Sequence, residues 1–160
     1  VYIVGTVQEE FNLRGAQLAA AAIQPDLAIA LDVMVAGDTP DLKDRLELKL
    51  GGGPAIGMYS FHGRGTLNGT IPHPQLVELA KAAATREGLS LQRNAMVGLL
   101  TDSAYVQLVV HGIPVVDLGF PARYTHTPVE VCQLSDIEGL LKLVAALVVD
   151  LKPGLSFSRL

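Results

Sequence analysis

Short apolar runs alternate with helical segments along this chain, and this alternation limits the folds that it can adopt. Residues 1–7 form an apolar run that predicts a strand, residues 13–23 an alanine-rich helix, and residues 27–35 a second strand. A later apolar run, residues 113–120, predicts another buried strand. Such alternation indicates an α/β fold in which a mainly parallel, mixed sheet is sandwiched by helices. The 160 residues suffice for one domain with a packed core.

The remaining segments continue the same pattern. The predicted elements are an edge strand over 46–50, a strand over 55–59, a helix from Pro72 to Glu87, a strand over 89–97, a helix from Thr101 to His111 and a last helix that begins in the capping-box motif Ser135-Asp136-Ile137-Glu138. No internal repeat or low-complexity tract interrupts them, so we expect a single folding unit.

Acidic residues and a histidine follow three of the apolar runs. Glu9 and Glu10 follow the first run, Asp32 ends the second, and His126 comes shortly after the run over 113–120. The carboxyl ends of parallel strands meet at one edge of an open α/β sheet, which is where ligands bind. Two or three carboxylates and an imidazole gathered there would suit a divalent metal such as zinc, cobalt or manganese.

Composition argues against several classes of protein. The formal charge is −4 and no basic cluster offsets it, which argues against nucleic acid as a partner. Cys132 is the single cysteine, so no intrachain disulfide can form and a reducing compartment fits. The longest apolar stretch, residues 143–149, is far shorter than the roughly 20 residues of a membrane span. Since no signal peptide is recognisable, we expect a cytoplasmic protein without a membrane segment.

The first residues of the chain raise a further expectation. The chain begins without an initiator methionine and directly in an apolar run. A buried strand needs neighbours on both sides, so it is seldom a natural terminus. We therefore expect this chain to be the carboxyl-terminal part of a longer protein.

Several motifs resemble those of one family of enzymes. The matching stretches are GTVQEE at 5–10, LRGA at 13–16, the segment from Pro25-Asp26 to Asp32, TDSA at 101–104 and PARYTHTP at 121–128, with Glu130 after it. In this order they resemble the metal-site motifs of the glutamyl aminopeptidase family. These are co-catalytic metallopeptidases that include the tetrahedral aminopeptidases. The paired glutamates and the arginine-tyrosine-x-histidine stretch are the most specific of these matches.

The resemblance implies a role for each residue of the site. Glu9 is implied as the general base, Glu10 as a ligand of one metal and Asp32 as a ligand of the other. His126 is implied as the second ligand of the metal that Glu10 holds. The family's other two ligands, and its dimerisation domain, precede the paired glutamates. The resemblance therefore implies that residues 1–160 are the carboxyl-terminal portion of one zinc-exopeptidase-like catalytic domain, inactive by itself.

The same resemblance implies an activity and an assembly. The expected enzyme uses two divalent metal ions, zinc or cobalt with manganese as a further choice, to remove amino-terminal residues from short peptides. Its subunits are expected to form a homo-oligomer, in which dimers assemble into a dodecamer. Two alternatives stay open: an amide deacylase or sugar-linked hydrolase on the same fold, or a non-catalytic assembly subunit that lacks half its ligands.

Some residues allow more than one interpretation. Asp38, followed by Thr39-Pro40, competes with Asp32 for the ligand role. Arg123 fits either a structural contact with carboxylates or a contact with substrate. The Thr101-Asp102 pair fits either a helix cap or a lining of the binding pocket.

Overall fold

The computed structural model describes residues 1–157. In chain order, its elements are α1 (Arg14–Ile23), β1 (Ala28–Val35), β2 (Ala55–His62), β3 (Asn68–Thr70), α2 (Pro74–Arg86), β4 (Gln92–Val97), α3 (Ser103–Val106), β5 (Val115–Arg123), β6 (Val131–Cys132) and α4 (Leu134–Asp150). Within these residues, no helix is both long enough and apolar enough to cross a membrane.

The strands form one mixed sheet. β5 pairs in parallel with β1 over the full length of β1, and it pairs antiparallel with β2. β2 in turn pairs in parallel with β4 and antiparallel with β3, while the short β6 is antiparallel to β5. The two parallel pairings are the longest, which confirms the predicted α/β class with a mixed sheet.

Helices lie on both faces of the sheet, and alternation along β5 explains how. Val116 and Leu118 pack in the main core, whose other members come largely from α2 and α4. Val115, one residue earlier, packs with residues of α1 and α3 in a second cluster. Successive strand residues point to opposite faces, so Asp117 shares the face of Val115. This acid therefore points toward the α1 and α3 side.

The predicted strand over residues 1–7 is wrong. These residues lie in an irregular segment, where Val1 is 100% and Ile3 98% exposed. A strand exists only beside another strand, and none of the strands described within residues 1–157 pairs with this segment. Backbone contacts to the start of α1 hold its end instead, with the Gly15 N–H donating to the Val7 carbonyl at 3.0 Å.

Three smaller expectations are also wrong. Residues 46–50 form a loop whose Leu48 carbonyl accepts a hydrogen bond from the Gly37 N–H. The helix expected to reach His111 stops at Val106, and the chain then continues in turns through a left-handed Val110. α4 begins before the capping-box serine and has no side-chain cap. Its Asp136 accepts hydrogen bonds from the N–H groups of Gly51 and Gly53 in a neighbouring loop.

Candidate metal and catalytic site

All four predicted site residues line one cleft of about 650 Å³. They are Glu9, Glu10, Asp32 and His126, and they share the cleft with residues that include Thr101, Asp117 and Glu130. Glu9 and Glu10 were expected to reach this cleft from the end of a strand over residues 1–7. A loop held by the start of α1 brings them there instead.

The loop that carries Glu9 and Glu10 has an unusual backbone. Gln8, Asn12 and Leu13 all have positive φ angles, between 56° and 67°. Left-handed conformations cost non-glycine residues of the order of 1–3 kcal/mol each and cluster at functional sites. Adjacent strand residues would point to opposite faces, whereas here both glutamates line the same cleft.

The start of α1 fixes this loop. The N–H groups of Leu13, Arg14 and Gly15 donate to the carbonyls of Glu9, Gln8 and Val7, at 2.8, 3.3 and 3.0 Å. The first N–H groups of a helix have no partner within the helix, so the loop satisfies them. Gly15 is needed for this approach, because a Cβ there would lie 2.3 Å from the Val7 carbonyl oxygen.

Asp32 lies inside β1 and not at its end, because the strand continues to Val35. Its Oδ1 accepts a hydrogen bond from the Val33 N–H at 2.7 Å. Burial raises the pKa of Asp32 above its ordinary value, the Val33 hydrogen bond lowers it, and the charges of Asp102 and Glu10 raise it further. Asp32 is therefore partly desolvated and within electrostatic range of the other acids.

His126 lies three residues beyond β5 and contacts Glu10 directly. Its Nε2 is 3.2 Å from Oε1 of Glu10, with both side chains largely exposed. The backbone N–H of His126 donates to Oε1 of Glu130 at 2.8 Å. Both Tyr124 and His126 have positive φ angles. The structure thus brings together two of the predicted ligands of one metal.

The pKa of Glu9 is raised from 4.5 to about 7. Burial is the largest cause, followed by the negative charges of Asp32, Glu10 and Asp102, while His126 acts in the opposite direction. Carboxylates therefore dominate the electrostatics of the cleft.

Asp38 is committed elsewhere. Arg123 donates to both of its carboxylate oxygens, from Nε at 2.8 Å and from Nη2 at 2.7 Å, and the Leu50 N–H donates a third hydrogen bond. This bidentate contact lowers the pKa of Asp38. Of the two competing aspartates, Asp32 is the one that lines the cleft. Arg123 has the structural contact that was one of its two interpretations.

Across residues 1–157, no three histidine, cysteine, aspartate or glutamate side chains lie close enough together to hold a metal ion. The donors present are nevertheless of suitable chemistry, since Glu10 and Asp32 offer carboxylate oxygens and His126 an imidazole nitrogen. The ligand set stays a prediction.

Comparison with known proteins identifies the family. The family model described as M42 glutamyl aminopeptidase matches residues 1–143. The chain belongs to this family. SgcX of Escherichia coli (strain K12) is 41% identical over 147 residues, which are 92% of this chain and 39% of SgcX.

Two solved structures extend the comparison from sequence to fold. A TET aminopeptidase from a marine sediment archaeon of the Thaumarchaeota has a TM-score of 0.84 and 34% identity, covering 93% of this chain and 40% of that one. The TET1 peptidase of Pyrococcus horikoshii has a TM-score of 0.69 and 30% identity, covering 89% and 38%. This M42 chain therefore spans about two fifths of the length of the relatives that it matches.

The structure adds Asp117, which sequence reasoning left out of the site, and distinguishes the two members of the Thr101-Asp102 pair. Asp117 lines the cleft from the middle of β5, and its signal was a lone acid within an apolar run. Asp102 precedes α3 without capping it, and its Oδ2 accepts a hydrogen bond from Oγ1 of Thr6 at 2.8 Å. Thr101 lines the cleft, so the pocket-lining interpretation describes it better than the helix cap does.

Proposed function

We propose that this M42 chain carries part of the active site of a metal-dependent aminopeptidase, which removes amino-terminal residues from short peptides. One observation carries the proposal: the four predicted site residues converge in one cleft of a chain from this family. Residues 1–160 would then be the carboxyl-terminal portion of one metallopeptidase catalytic domain.

Glu10, Asp32 and His126 are the residues proposed to hold divalent metal ions, two in the complete site. Zinc and cobalt accept both carboxylate oxygen and imidazole nitrogen, and manganese is a further choice because it favours oxygen. Burial and neighbouring carboxylates raise the pKa of Glu9, so cations in the cleft would offset an excess of negative charge. The electrostatics therefore suit the donor set.

Glu9 is the proposed general base. The metals, when bound, would lower the pKa of water to about 7 and polarise the peptide carbonyl. Glu9 is not among the proposed ligands, so it is free to take a proton from the attacking water and pass it to the leaving amine. Partial burial raises the pKa of Glu9, which favours the proton uptake that the first transfer requires.

We further propose a homo-oligomer located in the cytoplasm. The TET1 peptidase of Pyrococcus horikoshii can assemble into a tetrahedron or a large octahedral shell. Dimers that build a dodecamer are the corresponding proposal for this protein. The cytoplasmic location is supported by the single cysteine, which suits a reducing compartment.

The rival functions predict different measurements. Family membership does not favour an amide deacylase or a sugar-linked hydrolase. A non-catalytic assembly subunit would hold no metal in this cleft and would release no product from any substrate.

The test uses the protein at its full natural length. Aminoacyl-p-nitroanilides, N-acyl amino acids and cellulose oligomers are compared as substrates, and bound metal is measured by elemental analysis. We expect turnover of aminoacyl substrates and about two metal ions per chain. Failure to release p-nitroaniline from any aminoacyl substrate would overturn the proposal.

Matched variants test the ligands. Glu10→Ala and His126→Ala are expected to lower the metal content. Glu138→Ala on α4 and His111→Ala remove the same side chains at exposed positions outside the cleft, so both should keep it. Equal metal contents in all four variants would contradict the ligand assignment.

A further inference from the structure

The charged groups of the cleft are unevenly distributed. The acids that line it are Glu9, Glu10, Asp32, Asp117 and Glu130. No acid within residues 55–100 lines it, although β2, β4 and the loops that follow them all contribute to its wall. We name as the hairpin side the polar residues that this stretch contributes, which are Tyr59, Ser60, His62, Thr66 and Asn94. An anionic group of a ligand is repelled by the acids, so the hairpin side is where the cleft can accept one.

His62 ends β2 and offers a hydrogen-bond donor on this side. Its Nδ1 accepts a hydrogen bond from the Gly65 N–H at 3.1 Å. An accepting ring nitrogen carries no proton, so the proton of the neutral imidazole is on Nε2. Among residues 1–157, nothing accepts a hydrogen bond from this Nε2. The half-buried ring lines the cleft, so its donor is free for a ligand.

The loop between β2 and β3 holds the ring in this orientation. A Cβ on Gly65 would lie 2.9 Å from Cε1 of His62 and 3.2 Å from its Nδ1, so only glycine allows the loop to fold back this closely. Oγ1 of Thr66 donates to the His62 carbonyl at 3.5 Å. The Asn68 side chain donates to the Ala104 carbonyl in α3 at 3.0 Å, which attaches the hairpin to the rest of the fold. The donor is therefore positioned before a ligand binds.

Arg64 supplies a positive charge beside this donor. It lies in the loop between His62 and Thr66, both of which line the cleft. Its side chain is exposed and makes no ion pair or hydrogen bond with another of residues 1–157. A guanidinium group presents several N–H donors in a planar fork that matches the two oxygens of a carboxylate. An imidazole N–H and a free arginine together suit a carboxylate ligand.

We propose that His62 and Arg64 bind the terminal carboxylate of short peptide substrates, so that the enzyme prefers short peptides with a free carboxyl terminus. The free amino terminus of the substrate lies toward the acids and its carboxylate toward the hairpin side. The opposite charges at the two ends of a short peptide then match the charge distribution of the cleft. The inference rests on the proposed aminopeptidase function and adds a substrate class to it.

The test compares peptides that differ only in the charge of the carboxyl terminus. Peptides of two, three and four residues that begin with leucine are used, each with a free carboxylate and as the carboxyl-terminal amide. At full natural length, the wild-type protein should have a higher kcat/KM for the free acid at one or more of these lengths. The difference should lie mainly in KM, because the carboxylate is remote from the bond that is cleaved. Chromatography of the released leucine measures the rates.

Two variants test the residues. His62→Phe keeps a ring but removes the donor, and it should lower the acid-to-amide ratio of kcat/KM by about 10- to 100-fold, since a hydrogen bond to a charged group is lost. Arg64→Gln should lower the ratio by a smaller factor, because the side chain is exposed. His111→Phe and Arg93→Gln make the same changes at exposed positions outside the cleft and should leave the ratio unaltered.

Arg64→Gln also guards against a folding defect. The Arg64 side chain makes no contact that holds the loop, whereas His62→Phe removes the hydrogen bond from Gly65. Thermal unfolding of both variants checks that they are folded.

The outcomes separate this inference from the function on which it rests. Leucyl-p-nitroanilide has no carboxylate, so its hydrolysis by the wild-type protein reports the aminopeptidase function alone. A wild-type protein that hydrolyses it but shows no preference for the free acid at any length would overturn the inference only. A preference that survives in both variants would also overturn it. No turnover of the nitroanilide or of any peptide would remove both proposals together.

Discussion

The rim of the cleft and its acidic floor hold their charged groups in different ways. We name as the rim Glu9, Glu10 and His126, which lie on loops with left-handed residues. Nε2 of His126 lies 3.2 Å from Oε1 of Glu10. We name as the floor Asp117, which lines the cleft from the middle of β5 and is 4% exposed. The rim is exposed at Glu10 and His126, partly buried at Glu9 and strained in its backbone, whereas the floor lies in a regular strand and is buried.

The difference shows where each part of the site carries its energetic cost. In the rim the cost lies in backbone conformations, which hydrogen bonds to the start of α1 help to offset. In the floor the cost lies in removing the Asp117 carboxylate from water without a countercharge. The rim therefore suits groups that exchange protons with solvent and substrate.

Removing the base from the rim should have the largest effect. Glu9→Gln keeps the size of the side chain but cannot accept the proton of the attacking water. We expect kcat to fall by about 10²–10⁴-fold with the metal content unchanged. Steady-state kinetics and elemental analysis measure the two quantities, and Glu138→Gln on the exposed face of α4 is the control. Full activity in Glu9→Gln would show that another group is the base.

Removing charge from the floor should raise stability. The pKa of Asp117 is raised from 3.8 to about 6, so the folded state holds this proton more tightly than the unfolded state does. Wild-type stability should therefore fall as pH rises between these two values. Asp117→Asn lacks this dependence and should be more stable above pH 6, by up to about 3 kcal/mol. Urea unfolding with a chelator present measures it, and identical pH profiles for the two proteins would contradict the burial argument.

Crowding the anchor of the rim should lower stability and activity together. Gly15→Ala brings a Cβ against the Val7 carbonyl, which is fixed backbone. We expect a loss of about 1–3 kcal/mol in the free energy of unfolding, typical of overpacking, and a displaced glutamate loop. Gly5→Ala is the matched control, because a Cβ at Gly5 meets nothing within 4 Å. Chemical denaturation and kinetics measure both effects, and a Gly15→Ala protein equal to the control would mean that the contact is not needed.

The fold was predictable wherever a periodic pattern is satisfied by neighbours within the chain. β1, β5 and α2 lie close to the residues predicted for them, because their apolar positions meet partners across the sheet and the main core. Residues 1–7 have the same apolar pattern but no described strand beside them. Residue pattern alone cannot show whether a strand has a partner.

The site was predictable in part. Glu9, Glu10, Asp32 and His126 were found through the family motifs, and the structure places them around one cleft. Asp117 was missed because it lies within a buried strand and outside those motifs. Its place in the cleft depends on which face of β5 it occupies and on Gly57 across the sheet, and neither is local in sequence.

A partnered acid near the surface provides the smallest effect and the sharpest contrast with the floor. Arg123 holds both oxygens of Asp38 and lowers its pKa, so the unfolded state binds this proton more tightly than the folded state. The stabilisation is present above the ordinary value of 3.8 and is lost as pH falls through the lowered pKa of the folded state. Asp38→Asn should therefore lower stability at neutral pH, by less than Gly15→Ala does, since the pair is partly exposed.

The sign of this dependence is opposite to that of Asp117. Asp38→Asn should be less stable than wild type at neutral pH and Asp117→Asn more stable, and both differences should shrink in acid. Urea unfolding of both variants at neutral pH and below pH 3.8 tests the pair of slopes. If the two stability differences changed with pH in the same direction, the countercharge beside Asp38 would not explain why the two acids differ.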